Sequence, residues 1–169
     1  MKKCWAGPYS NIELKQVAGS NKHNCIACLG AITATKGKEL FCFTERAFDG
    51  KQFLEYFKSL VKHMGQREWF MVLDNASIHK APELARVAAE HKVPLVYTVP
   101  YCPWFNGIEE YWAETKLVFR KLGTKSLLHF GYRNIAQEAN DAVHSVEDSH
   151  ARSYARRALE TIELSQAKI

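Results

Sequence analysis

Phe70-Met71-Val72-Leu73-Asp74-Asn75 is the stretch on which the fold turns. Four apolar residues closed by a carboxylate read as a buried parallel strand that delivers Asp74 at its C-terminal tip. In open α/β sheets that edge is where ligands bind. A second stretch, Pro100-Tyr101-Cys102-Pro103-Trp104-Phe105-Asn106-Gly107-Ile108-Glu109, sets Glu109 at the start of a helix after a proline-rich turn, with thirty-four residues between the two acids. Two carboxylates on rigid elements at one sheet edge suit Mg²⁺, which takes hard oxygen ligands and keeps waters for a phosphate substrate.

Upstream of this core strand, residues 11–18 alternate weakly, as a half-exposed strand does, and residues 24–35 read as a second strand. Lys36-Gly37-Lys38 turns into a third strand over residues 39–44, paired with the second as a hairpin. Asp49 is placed to cap a helix in which Phe53, Leu54, Phe57, Leu60 and Val61 recur at helical spacing. Downstream, residues 80–91 form a helix with Pro82 in its first turn and Leu84, Val87 and Ala88 facing inward. Residues 93–99 are another apolar strand, and helices follow over 106–122 and from about residue 126 onward. Three antiparallel strands followed by helix, strand, helix, strand, helix make one mixed α/β domain over residues 1–169, a sheet flanked by helices.

The two acids and their surroundings resemble the catalytic core of DDE transposases, specifically the mariner superfamily and its bacterial insertion-sequence relatives. The family segment Asp-Asn-Ala-x-x-His is matched by Asp74-Asn75-Ala76-Ser77-Ile78-His79. The segment Pro-Tyr-Ser-Pro-x-x-Asn-Pro-Ile-Glu-x-x-Trp is matched by Pro100 through Glu109 to Trp112, with Cys102 where serine is usual and Gly107 where proline is usual. The resemblance covers roughly residues 3 to 125 and implies a ribonuclease-H-like fold. It implies Asp74 and Glu109 as catalytic metal ligands for Mg²⁺ or Mn²⁺, and hydrolysis and strand transfer at transposon ends, with DNA and further copies of the chain as partners.

Such a site needs three carboxylates. The first belongs to a strand that precedes a Trp-x-x-Gly-like segment, which here is Trp5-Ala6-Gly7, so that acid would lie before Met1. Glu13, Glu39, Glu45 and Asp49 precede Asp74, yet none follows a buried-strand run in the required way. The expectation is a catalytic domain short of its central first strand and inactive by itself. The alternatives are a non-catalytic remnant or regulatory fragment that keeps DNA or subunit contacts, and a ribonuclease-H-like nuclease outside transposition.

Within the helix that Glu109 opens, Asn106 and Glu109 stand at capping-box spacing. Glu110 and Glu114 are rival acids. Ile108, Trp112, Thr115 and Phe119 form an apolar stripe, so Glu109, Ala113, Lys116 and Arg120 form the next one. Lys116 and Arg120 are therefore in line with the acid and able to hold DNA phosphates, a role that a solvated helix face matches equally well. His79 is assigned only capping or packing. His23, Cys25, Cys28 and Cys42 could be drawn as a zinc set, but Cys25 and Cys28 would point to opposite faces of a strand, and buried thiols are the better reading. Arg152 and Arg156 share one helix face, either as a solvated basic face or against a DNA backbone.

A net charge of +5 permits a nucleic-acid partner without requiring one. No apolar stretch approaches a membrane span, and Met1-Lys2-Lys3-Cys4-Trp5 leads into no signal-peptide core, so the compartment expected is the cytoplasm. Five cysteines, an odd number without a small secreted framework, are expected to be reduced.

Overall fold

β3 (Gly37–Thr44) lies between β1 (Cys4–Ala6) and β2 (Ala27–Thr33) and pairs antiparallel with both, so that Cys42 stands opposite Trp5 on one side and Leu29 on the other. The computed structural model describes residues 4–6, 26–100 and 102–166. The strand expected over residues 11–18 lies outside them, as do His23 and Cys25. A second, parallel pair is formed by β4 (Met71–Leu73) and β5 (Leu95–Tyr97), with Val72 opposite Val96. From β2 onward the element order is as the sequence implies, mixed α/β, whereas β1 at Cys4–Ala6 is a strand that the sequence reading did not place. The single mixed sheet is not continuous among the described residues, because β2 pairs only with β3 and β4 only with β5.

Side-chain alternation along β3 creates two cores. Leu40 and Cys42 face a layer made by α1 (Gly50–Met64) and α2 (Pro82–Glu90), where Phe53, Tyr56, Phe57, Leu60, Leu84 and Val87 are buried. Leu73 of β4 enters this cluster, with Leu29, Ala31, Met71 and Leu95 at its margin, so both sheets rest on the same helical layer. Phe41 and Phe43 face the opposite way, into α3 (Ile108–Phe130), α4 (Ile135–Ser145) and α5 (Asp148–Gln166) through Tyr111, Val143, Val146 and Ala151. A side chain at Gly30 would collide with the Phe41 ring and reach the Trp112 ring at 3.0 Å. That missing Cβ is what lets α3 approach the sheet.

The local signals explain the helix ends. Asp49 accepts from Gln52 N at 2.7 Å while the Gln52 side chain accepts from Asp49 N at 3.0 Å, a reciprocal cap for α1. Pro82 stands in the first turn of α2, where a missing N–H costs nothing. The break expected between residues 122 and 126 does not occur: α3 runs through Gly123, whose absent side chain makes room for the Arg133 guanidinium. That guanidinium lies over Phe119 at 4.9 Å and pairs with Glu138 at 2.7 Å, contacts that offset the weak helix propensity of glycine. The helix ends where Gly131 turns left-handed at φ 71° and returns its N–H to Leu127 O.

Glu39, an acid with no assigned role, is the most deeply buried charge among the described residues. Its carboxylate is fully covered and takes hydrogen bonds from Thr33 at 2.9 Å, Arg67 at 3.0 Å and His63 at 2.9 Å. Burial would raise its carboxyl above the ordinary value, but the Arg67, His63 and Thr33 contacts outweigh burial and hold it below. A depressed carboxyl adds stability that is present above its unfolded-state value and is lost as pH falls through the folded-state value. Glu39→Gln is therefore expected to lower stability at neutral pH by about 2 kcal/mol. It should also flatten the acid limb of a pH-dependent urea titration, and an acid limb identical to wild type would show that Glu39 is not the group responsible.

Candidate active site

β4 and β5 run parallel, so their C-terminal ends share one edge, and Asp74 follows β4 directly at that edge. The loop carrying it is stitched to β5. Thr98 N donates to Leu73 O at 2.8 Å, Asn75 Nδ2 donates to Thr98 O, and Tyr97 OH donates to His79 O at 2.8 Å. Asp74 Oδ1 accepts from Ala76 N at 3.0 Å and faces His79 Nδ1 at 2.7 Å. The His79 ring is largely covered and packs on Phe53 with centroids 4.4 Å apart, whereas the Asp74 side chain is 47% exposed. His79 is thus a largely covered support that fixes one carboxylate oxygen and leaves the group open to solvent. Its five-residue offset from Asp74 was the signal in the sequence, and packing alone understated it.

The chain leaves β5 from the same edge, passes a single 3₁₀ turn at Pro103–Phe105 and enters α3. Glu109 is exposed in the first turn of that helix, where the helix dipole favours a carboxylate. The capping box expected from Asn106 and Glu109 does not form. Gly107 is the N-cap, without a side-chain cap, and Glu109 N donates to Asn106 O at 3.0 Å. The box fails because Glu109 falls one position too early in the helix.

The rivalry among the three acids of α3 is decided by their partners. Glu110 pairs with Arg157 at 2.7 Å. Glu114 accepts from Tyr154 OH at 2.7 Å and faces His150 Nδ1 at 3.0 Å. Burial would raise the Glu114 carboxyl, but the Tyr154 and His150 contacts outweigh it and hold the carboxyl low; the same Glu114 bond leads in pushing Tyr154 up to about 12. Among the described residues the Glu109 carboxylate has no hydrogen-bond or ion-pair partner, so it alone of the three is uncommitted.

Lys116 and Arg120 are exposed on the stripe that Glu109 begins, without an ion-pair partner among the described residues. No Asp or Glu occurs from residue 115 to residue 137. Arg120 continues into a shallow surface groove of about 410 Å³ lined by Lys121, Thr124, Lys125, Leu128 and His129. The other basic pair is employed structurally. Arg156 donates to Ala34 O at 2.9 Å and Arg152 to Lys36 O at 3.3 Å, so this basic face, with Arg156 exposed and Arg152 half-buried, also fastens α5 to the β2–β3 turn. No zinc set forms among the described residues. Cys42 and Cys28 enter opposite cores, and burial first, then Cys42, pushes the Cys28 thiol well above its usual range.

Asp74 and Glu109 are solvent-reaching oxygen donors of the kind Mg²⁺ takes, usually one or two carboxylates completed by water and phosphate. No group of three His, Cys, Asp or Glu residues gathers around a common point among the described residues, so the pair would supply two protein ligands.

The departure at Gly107 has a steric reason. Gly107 is buried, and a Cβ there would collide with the backbone carbonyl of Tyr154 and come within 3.0 Å of Ala155 Cα. The turn is braced by α5 and not by a proline ring. These features define an α/β domain with Asp74 at the C-terminal edge of a parallel strand pair and Glu109 at the start of a helix that carries Lys116 and Arg120. The family model described as DDE superfamily endonuclease matches residues 10–126, well over half of the chain, and the chain belongs to that family. No curated protein matches it. The match includes Asp74, Glu109, Lys116 and Arg120 and ends before α4 and α5. No helix among the described residues is long and apolar enough to cross a membrane.

Gly107→Ala tests the bracing contact. The residue has φ −59°, which alanine adopts freely, so any loss comes from the collision with α5. The variant is expected to lose about 1–3 kcal/mol in denaturant unfolding. Unchanged stability would mean that α5 does not press on this turn.

Proposed function

We propose that this chain is the ribonuclease-H-like catalytic domain of a mariner-type DDE transposase, which cleaves and joins DNA phosphodiesters at transposon ends as an oligomer. What supports the reading is that Asp74 stands at the tip of β4, one oxygen held by His79, and that Glu109 is the one carboxylate at the start of α3 without a partner among the described residues. Both carboxylates would hold Mg²⁺ or Mn²⁺. A divalent ion bound there supplies positive charge to the phosphoryl oxygens during in-line displacement at phosphorus.

The side chains have separate tasks. His79, donating from Nδ1, keeps Asp74 in one rotamer and leaves its second oxygen for the site. Lys116 and Arg120 neutralise DNA phosphates, Arg120 through a planar fork suited to two phosphate oxygens. The stretch without acids supports this, since a polyanion following α3 meets no like charge there. The third carboxylate would come from a strand seated between the open edges of β2 and β4, where two rows of backbone groups have no described strand partner.

Supercoiled-DNA nicking in Mg²⁺ or Mn²⁺ tests the site. The 169-residue chain alone should give no cleavage above background. The chain extended by an added N-terminal strand that carries an aspartate should nick DNA in a metal-dependent way, and Asp74→Asn or Glu109→Gln should reduce that rate roughly a hundredfold or more. Robust cleavage by the 169-residue chain itself, abolished by Asp74→Ala, would place the third ligand within it, at Glu13 or Asp49 for example. Activity of the extended chain that survives both acid substitutions would overturn the assignment. Binding is tested separately: Lys116→Ala and Arg120→Ala should each weaken DNA binding irrespective of sequence and reduce the salt slope by about one.

A further inference from the structure

We infer that α5, which lies beyond the residues matching the family, is the positioning element of the acid site, with Tyr154 and Arg157 as its positioning residues. The inference rests on the reading of Glu109 as a metal ligand. Its geometry is independent of that reading. Four contacts converge on the first two turns of α3. The backbone at Tyr154 and Ala155 occupies the space that any side chain at Gly107 would need, immediately before the helix. Arg157 reaches Glu110 at 2.7 Å, one residue from Glu109. Tyr154 OH donates to Glu114 Oε2 at 2.7 Å, and His150 faces the same carboxylate at 3.0 Å. Arg157 also lies over the Tyr154 ring at 5.1 Å, so the two side chains hold each other in place.

The other side of α5 is anchored to the sheet. Arg156 and Arg152 donate to the carbonyls of Ala34 and Lys36, and Asp148 accepts from Lys38 N at 3.0 Å. Ala151 is fully buried in the core beneath Phe41 and Phe43. A side chain at Gly37, which has φ 99°, would meet the Asp148 backbone, so the β2–β3 turn and the start of α5 are fitted to each other. α5 therefore joins a fixed point on the antiparallel sheet to the turn that presents Glu109. A metal ligand on the first turn of a helix is otherwise subject to end fraying, since the first N–H groups of a helix lack intrahelical partners. By taking up Glu110 and Glu114, α5 removes that freedom and leaves Glu109 as the carboxylate free to bind. The brace also explains why the turn tolerates glycine where a proline ring would supply stiffness.

The test compares the full chain with Arg157→Ala and Tyr154→Phe, by amide hydrogen exchange resolved along α3 and by Mn²⁺ titration. Tyr154→Phe keeps the ring and removes only the hydroxyl, so it folds even if Arg157→Ala does not. Exchange over residues 107–116 should quicken roughly three- to tenfold in each variant, with β3 and the remainder of α3 unchanged. Mn²⁺ affinity should fall by roughly the same factor. Unchanged exchange over 107–116, or a uniform increase across the whole chain, would overturn the inference and leave α5 as a stabilising helix only. A localised increase with Mn²⁺ affinity equal to wild type would also overturn it, because the brace would then not act on the ligand. Glu109→Gln serves as the control: if it too leaves Mn²⁺ affinity unchanged, the reading of Glu109 fails, whereas the exchange result still decides whether α5 holds the turn.

Discussion

Burial of β3 on both faces is the constraint from which the rest of the structure follows. Leu40 and Cys42 require an apolar layer on one side, and Phe41 and Phe43 require a second on the other. A strand of this kind cannot stand at a solvent surface, so α1 and α2 are drawn to one face and α3, α4 and α5 to the opposite face. The position of α3 is then fixed by contacts that tolerate little change. Trp112 and Phe41 meet across Gly30, and the fully buried Tyr111 donates its hydroxyl to Val143 O at 2.6 Å. The helix that carries Glu109 is in this way positioned by aromatic packing several residues away from the acid.

The electrostatics of α3 follow the helix axis. Three acids stand in its first two turns, and Lys116, Arg120, Lys121 and Lys125 follow with no acid among them. Acids at an N-terminus and cations towards a C-terminus both lower the energy of the helix itself. Two of the three acids are held by α5, Glu110 by Arg157 and Glu114 by Tyr154 and His150, which leaves Glu109 as the carboxylate without a described partner at the head of a positive track. Asp74 has the complementary arrangement: one oxygen is tied down by the largely covered His79, and the group as a whole stays half open to solvent. An isolated ion pair at either position would contribute little to stability, and its value here is geometric.

Much of this was legible in the sequence wherever a short-range pattern carried it. The Asp49 cap, Pro82 in a first turn and the inward face formed by Leu84, Val87 and Ala88 are local periodicity and local capping, and the structure has them. The apolar run closed by Asp74 becomes strand only over Met71–Leu73, with Leu73 buried and Phe70 exposed. What sequence could not supply were pairings between distant elements. Glu39 meets His63 and Arg67 across a strand–helix interface, and nothing in its own neighbourhood announces a buried network. Arg152 and Arg156 show correct helical spacing for an exposed basic face, yet their partners are carbonyls more than a hundred residues earlier. Tyr111 was missed because α3 packs against both the sheet and α4, which widens its buried face beyond the stripe through Ile108 and Trp112. The break expected near Gly123 failed for a similar reason, since the Arg133 guanidinium that occupies its space belongs to the following loop.

The central claim is that Asp74 and Glu109 serve one divalent-ion site, and a double-mutant cycle on Mn²⁺ affinity tests it most directly. Mn²⁺ is titrated into wild type, Asp74→Asn, Glu109→Gln and the double variant, each checked for unchanged folding. Ligands of one site are coupled, so either single substitution should remove most of the affinity and the double variant should lose little more. Losses that simply add, or a single variant that binds as wild type does, would show that the two carboxylates do not share an ion.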